Sequence, residues 1–150
     1  MSIRSCQLRP RLGDIQYNLN RALSEIEKNT DDIIVFSELF LSGYPPTDDL
    51  LFNELADDIG HAIDALVKKS ATTPALIVIG TPRFDGQHWR NAALAMANGR
   101  IIHEHYKICL PNYDIFNDAR YFVPGERVTC FDWQGQSMAV LICEDIWANV

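Results

Sequence analysis

No apolar run in these 150 residues approaches the length of a membrane span. The longest, Ala75–Ile79 and Met138–Cys143, suit buried strands, whereas a spanning helix needs about 20 residues. The opening Met1-Ser2-Ile3-Arg4-Ser5-Cys6 lacks the apolar stretch of a secretory signal, so a cytoplasmic location is expected. Positive charge is scarce: 13 Lys plus Arg face 20 Asp plus Glu, for a formal charge of -7. With Lys68-Lys69 the nearest thing to a basic patch, neither nucleic acid nor an anionic membrane is an expected partner. Cysteine is sparse as well. Cys6, Cys109, Cys130 and Cys143 show no paired metal spacing, and in a reducing compartment they stay thiols. What remains is 47% hydrophobic and 22% charged, an ordinary globular composition. A chain of this size buries about 68–70% of its unfolded surface, enough for one core without disulfide or metal staples.

The patterning predicts an α/β layered fold. Ile3–Leu8 reads as a strand, and apolar residues at helical spacing (Ile15, Leu19, Leu23, Ile26) follow Asp14. Asp32–Ser37 reads as a second strand, and Gly43, Pro45 and Pro46 then impose a loop. A helix is predicted from about Asp48 to Lys69, with Leu51, Leu55, Ile59, Ile63, Leu66 and Val67 on one face, and Ala75–Gly80 as a buried strand. Hairpins are predicted for Trp89–Ala97 with Ile101–Lys107 around Asn98-Gly99, and for Val128–Trp133 with Ser137–Cys143 around Gln134-Gly135. Between them, Leu110–Gly125 reads as a loop with one helical turn near Asp118–Tyr121. The order βαβαβ followed by hairpins implies a mixed sheet. Only Glu144–Val150 follow the last strand, so one sheet face is expected to lack a cover and the chain reads as cut short.

Three strand ends carry reactive groups. Glu38 follows Ile33–Phe36, Lys107 ends the strand begun at Ile101, and Cys143 ends the strand begun at Ser137. Ligands of α/β sheets sit at one edge of the strands, where groups distant in sequence can converge. A thiolate nucleophile, a carboxylate base and an ammonium facing a carbonyl oxygen make one coherent chemistry. Singly, each also has a plainer reading: Glu38 as a loop charge, Lys107 as a solvated strand end, Cys143 as a small buried hydrophobe.

The words around these residues decide between the readings. Phe36-Ser37-Glu38-Leu39-Phe40-Leu41-Ser42-Gly43-Tyr44-Pro45, Tyr106-Lys107-Ile108-Cys109-Leu110-Pro111-Asn112-Tyr113 and Leu141-Ile142-Cys143-Glu144-Asp145-Ile146-Trp147 resemble the Glu, Lys and Cys motifs of the nitrilase (carbon–nitrogen hydrolase) superfamily, in family order. Leu110–Phe122 and the Cys-Glu-Asp-Ile-Trp run are similar, within it, to the N-terminal glutaminase domains of glutamine-dependent NAD synthetases. The resemblance implies the N-terminal portion of a nitrilase-like α-β-β-α sandwich. It implies that Glu38 is the base, Cys143 the nucleophile that forms a thioester with L-glutamine, and Lys107 with the backbone N–H of Glu144 the oxyanion site. Tyr44 and Tyr113 would line the glutamine pocket. Asp118 stands where the family commonly has a glutamate, one methylene longer, so its reach to Lys107 or the substrate is in question. No cofactor is implied for this step. ATP and Mg2+ would belong to a synthetase domain outside these residues, whose task is amidation of deamido-NAD. A homo-oligomer is also expected. The alternatives are a stand-alone amidase of the superfamily acting on another small amide, and a catalytically inactive fragment.

Other groups are read as structural. His103 and His105 share one face of a strand and, with Cys109, hint at a metal, but a fourth ligand is missing and the alternation suits a solvent face, so no metal is expected. Gly80–Gly86 lacks the lysine and following helix of a phosphate loop. Cys6 and Cys130 are read as packing residues, Phe52 and Phe131 as core, and Asp31-Asp32 and Asp57-Asp58 as solvated or capping charges.

Overall fold

A computed structural model describes residues 1–51 and 53–148. Five strands form one sheet in the order β1 (Ile3–Cys6), β2 (Ile33–Phe36), β3 (Leu76–Phe84), β4 (Trp89–Ala97) and β5 (Arg100–Tyr106). β1, β2 and β3 run parallel, β4 returns antiparallel to β3, and β5 is antiparallel to β4. β5 therefore runs in the same direction as β1–β3, so residues just past β2 and just past β5 emerge at the same edge of the sheet.

The parallel crossovers are α1 (Ile15–Glu27) and α2 (Asn53–Ser70), which pack on one face of the sheet. Asp14 starts α1 by accepting the Tyr17 amide at 3.0 Å. Ile15, Leu19, Ala22 and Ile26 then fall on a single buried stripe. On the sheet side of this core stand Ile34 and Phe36 of β2, Ile77 and Ile79 of β3, and Leu94 and Met96 of β4. The helix expected from Asp48 is split: a 3-10 turn covers Asp48–Leu51 and α2 starts at Asn53. Phe52 lies outside the described residues. β1 stops at Cys6, opposite the last residue of β2, so Leu8 has no ladder to join. β3 runs on to Phe84 because β4 pairs with it as far as Trp89. Among the described residues, no helix is long and apolar enough to cross a membrane.

Alternate residues build the other face: Ile33 and Val35, Leu76 and Val78, Ala95 and Ala97. This face, expected to be bare, is partly covered by a hairpin of β6 (Phe131–Trp133) and β7 (Gln136–Met138), whose Trp133, Phe131 and Met138 pack on it. Both hairpin turns place their central residues in the left-handed region, Asn98 and Gly99 at φ 53° and 74°, Gln134 and Gly135 at 51° and 76°. The strand expected to reach Cys143 ends at Met138. Residues 139–142 cross the second face, with Val140 against Val35 and Val78, and Cys143 opens a 3-10 turn, Cys143–Trp147. Phe131, within the cover, is half-buried against this face and Cys6 is core, but Cys130, read as a packing residue, is exposed because it precedes β6.

Gly80 sits where the chain beyond β2 crosses β3. A Cβ there would meet the Ser37 carbonyl oxygen, the Leu39 nitrogen at 2.5 Å and the Glu38 Cα at 2.7 Å, all backbone atoms that cannot swing aside. Gly60, within α2, has nothing within 4 Å of its missing Cβ. We expect Gly80→Ala to cost about 1–3 kcal/mol and lower Tm by several degrees. Gly60→Ala should raise stability by about 0.4–1 kcal/mol. Thermal unfolding followed by circular dichroism checks both, and an unchanged Tm for Gly80→Ala would contradict the crossing.

Candidate active site

The edge shared by β2 and β5 is where the chemistry gathers. Glu38 lies two residues beyond β2 and Lys107 immediately beyond β5. The Lys107 amide donates to the Asn91 carbonyl at 2.8 Å, which continues the β4–β5 ladder by one residue. Asn91, Ala93 and Ala95 of β4 and His103, His105 and Lys107 therefore project from the second face of the sheet, alternating with core-facing neighbours.

Lys107 is the centre of the polar cluster. Its side chain is 1% exposed, and Nζ donates to Glu38 Oε1 at 2.7 Å and to Asp118 Oδ2 at 2.7 Å. Burial works against the ammonium, but the hydrogen bonds to Asp118 and Glu38 outweigh it and hold its pKa above the usual lysine value. The question of reach is answered by the backbone. Asp118 opens a 3-10 turn (Asp118–Arg120) anchored by its amide to the Pro111 carbonyl at 3.1 Å, which brings the shorter side chain up to Lys107. The other oxygen of Asp118 accepts the Tyr44 hydroxyl at 2.9 Å. Desolvation and the Asp118 hydrogen bond push that phenol far above its ordinary value, so Tyr44 stays protonated.

Cys143 and Glu38 line one cleft of about 190 Å³, floored by Val35, Val78, Gly80 and Ala93 and walled by residues 140–142. Cys143 has φ 44°, a left-handed conformation that costs a non-glycine residue about 1–3 kcal/mol. Though the residue is exposed, partial desolvation of its sulfur and the nearby Glu38 charge raise the thiol above its ordinary 9.0. Lys107 and the Glu144 backbone N–H pull the other way without prevailing. The resting group is thus a thiol near neutral pH.

Three aromatic rings cluster beside Asp118 and Glu144. Tyr44 packs on Phe116 with centroids 6.4 Å apart, and Phe116 meets Tyr113 edge-on at 5.6 Å. Tyr113 is 55% exposed, and its hydroxyl donates to the Glu144 carboxylate at 3.2 Å.

Two buried groups were not singled out from sequence. Asp145 Oδ1 accepts the Ile108 and Cys109 amides at 2.9 and 2.8 Å, and Oδ2 accepts the Ile142 amide at 3.2 Å and bonds His105 Nε2 at 2.8 Å. This carboxylate pins the Cys143 turn to the segment carrying Lys107. The solvent-face reading of His103 and His105 is accordingly corrected. Both lie on the face covered by β6–β7 and the Cys143 turn, His105 buried against Asp145 and His103 stacked on Phe131 at 4.6 Å. The second group is Asn91, whose Nδ2 donates to Glu38 Oε1 at 2.7 Å. The period-two series Asn91-x-Ala93-x-Ala95 opposite Lys107, His105 and His103 is the signal that could have found Asn91. Among the described residues no cluster of three His, Cys, Asp or Glu side chains could hold a metal.

Comparison with known proteins bears on this arrangement. The family profile described as carbon–nitrogen hydrolase matches residues 2–149. A protein of Thermotoga maritima named glutamine-dependent NAD(+) synthetase is 35% identical over 147 residues, covering 96% of this chain and 25% of its own length. The structure of glutamine-dependent NAD+ synthetase from Acinetobacter baumannii, with ADP, is similar at TM-score 0.83 and 28% identity, over 97% of this chain and 28% of that one. An amidase from Nesterenkonia sp. shares the fold at TM-score 0.82 and 23% identity, over 96% of this chain and 56% of the amidase. The chain spans about a quarter of the length of the curated relatives it matches.

Asp145→Ala leaves the His105 ring nitrogen and the amides of Ile108, Cys109 and Ile142 without their acceptor, at about 1–3 kcal/mol for each that stays dry. We expect a loss of about 3 kcal/mol or more, read as a lower urea midpoint at unchanged slope. A midpoint equal to the parent's would show that the turn is held by other contacts.

Proposed function

Because the chain belongs to the carbon–nitrogen hydrolase family, we propose that it is the N-terminal glutaminase portion of a glutamine-dependent NAD synthetase. In this reading it releases ammonia from the side-chain amide of L-glutamine through a cysteine thioester. The observation that carries it is the hydrogen-bonded run Tyr44–Asp118–Lys107–Glu38 beside a cleft that Glu38 shares with Cys143.

Glu38 takes the proton from Cys143 Sγ, and the thiolate forms a bond to the amide carbon as the carbonyl electrons move onto oxygen. An ammonium has three N–H donors, and Lys107 commits two, to Glu38 and Asp118, leaving one for the oxyanion beside the Glu144 N–H. Glu38 returns its proton to the departing nitrogen, the C–N bond breaks, and ammonia leaves a thioester. Glu38 then removes a proton from water, the hydroxide displaces sulfur, and the thiolate recovers its proton as glutamate departs. Tyr44, Phe116 and Tyr113 suit the substrate's methylenes, and the Glu144 carboxylate suits its ammonium. Ammonia would pass to an ATP- and Mg2+-dependent synthetase domain that amidates deamido-NAD, a reading supported by the names of the relatives. Gly80 lies inside β3 and Gly86 in the turn to β4, so this stretch does not form a phosphate loop leading into a helix.

Intact-mass spectrometry with an electrophilic diazoketone analogue of glutamine tests the proposal. A single adduct on Cys143, suppressed by glutamine and absent in Cys143→Ala, is expected. No adduct, or equal labelling of the cysteines, would overturn it.

The raised thiol gives a pH prediction. Alkylation of Cys143 by iodoacetamide should climb with pH to a midpoint above 9.0. Glu38→Gln removes a charge that raises this thiol, so the midpoint should fall even as glutamine turnover drops by about 10²-fold or more. A midpoint that stays put would place Glu38 out of reach of the sulfur.

A further inference from the structure

We propose that Asn91 is a positioning residue for the base, occupying Oε1 of Glu38 so that proton transfer takes place at Oε2. The proposal rests on the reading of Glu38 as the proton carrier. Both hydrogen bonds to the Glu38 carboxylate among the described residues end on the same oxygen, Oε1: Asn91 Nδ2 at 2.7 Å and Lys107 Nζ at 2.7 Å. Two donors converging on one oxygen fix the plane of the carboxylate and leave the second oxygen uncommitted, which is the state a base requires.

The donor is itself immobile. Asn91 is 1% exposed in the middle of the sheet, and its backbone carbonyl holds the Lys107 amide at 2.8 Å. One residue thus sets the main chain of the lysine and the side chain of the glutamate. Its amide orientation is also decided by Glu38. A carboxylate can only accept, so the NH2 must face it, and the Asn91 carbonyl oxygen Oδ1 is then left buried with no partner. Buried polar atoms without partners are uncommon, and this one persists because turning the amide would set oxygen against oxygen.

The chemistry of asparagine fits the task. A second cation at Oε1 would stabilise the charged carboxylate further and weaken it as a base, whereas a carboxylic acid there would compete for the same proton. A neutral donor orients without either effect. The other titratable groups coupled to this site are Cys143, which shares the cleft, Tyr44, and Asp118, which meets Glu38 through Lys107.

The test measures inactivation of the whole chain by the diazoketone analogue across pH, for wild type, Asn91→Ala and Asn91→Asp, with thermal melts alongside. For Asn91→Ala the maximal inactivation rate should fall about 10-fold while the half-saturating concentration stays within twofold. For Asn91→Asp the acid limb should move up by about one pH unit or more, since two adjoining carboxylates cannot both ionise easily. A purely structural role would lower the melting temperature and leave the acid limb in place. Asn91→Ala within twofold of wild type, or an Asn91→Asp limb coincident with wild type, would overturn the proposal. Should Asn91→Asp fail to fold, the rate-versus-saturation split of Asn91→Ala and Asn91→Ser decides. If wild type itself takes no adduct, the glutaminase reading fails; if wild type reacts and the variants match it, only the role of Asn91 does.

Discussion

A lysine ammonium taken out of water must find compensating charge at once, and this constraint organises the edge shared by β2 and β5. Desolvating such an ion costs several kcal/mol even after relaxation, so Lys107 is tenable only between carboxylates with good geometry. Those carboxylates come from separate stretches of chain, the loop after β2 and the 3-10 turn at Asp118, and the ammonium ends the ladder of β5. Satisfying one buried charge therefore draws three segments together. Glu38 in turn can approach because Gly80 gives the crossing chain room, and Asp118 reaches because its turn is tied to Pro111.

Cys143 is held by a second polar centre on the same sheet face. Cys143 has an unfavourable backbone conformation, and the turn that imposes it is fastened two residues on, where Asp145 gathers three amides and the His105 ring. Local strain persists when its surroundings over-determine it. Both centres are spaced by the alternation of β5: Lys107 and His105 are two residues apart, so the ammonium and the imidazole lie on one side of one strand. The cleft between them is floored by small residues, Gly80 and Ala93, which leave space where larger side chains would fill it.

Much of the fold was legible because its signals are local. The helical spacing of Ile15, Leu19 and Ile26, the apolar strands around Ile34 and Ile77, and Asn98-Gly99 all follow from period and turn chemistry within a few residues. What the pattern misjudged depends on neighbours distant in the chain. The stretch from Ala139 to Ile142 is apolar enough for a strand, yet it crosses the sheet instead of pairing, since Asp145 claims the Ile142 amide and Val140 finds Val35 and Val78. His103 and His105 alternate as a solvent face would, but a hairpin and a turn some thirty to forty positions later cover them.

For the site, sequence by itself determined the candidate groups: Glu38, Lys107 and Cys143 in characteristic words, with Tyr44, Tyr113, Asp118 and Glu144 around them. Residue type and strand-end position raised the first three, and the resemblance of the surrounding words to the nitrilase superfamily supplied the other four. Only the tertiary structure decided how they are held. That Asp118 reaches Lys107 despite its shorter side chain, that Asn91 shares an oxygen of Glu38, and that Asp145 fastens the Cys143 turn are facts of through-space distance. Hydrogen bonds act over about 3 Å regardless of how far apart their partners lie along the chain. A buried asparagine or aspartate declares its role only when the backbone has brought its partner within that reach.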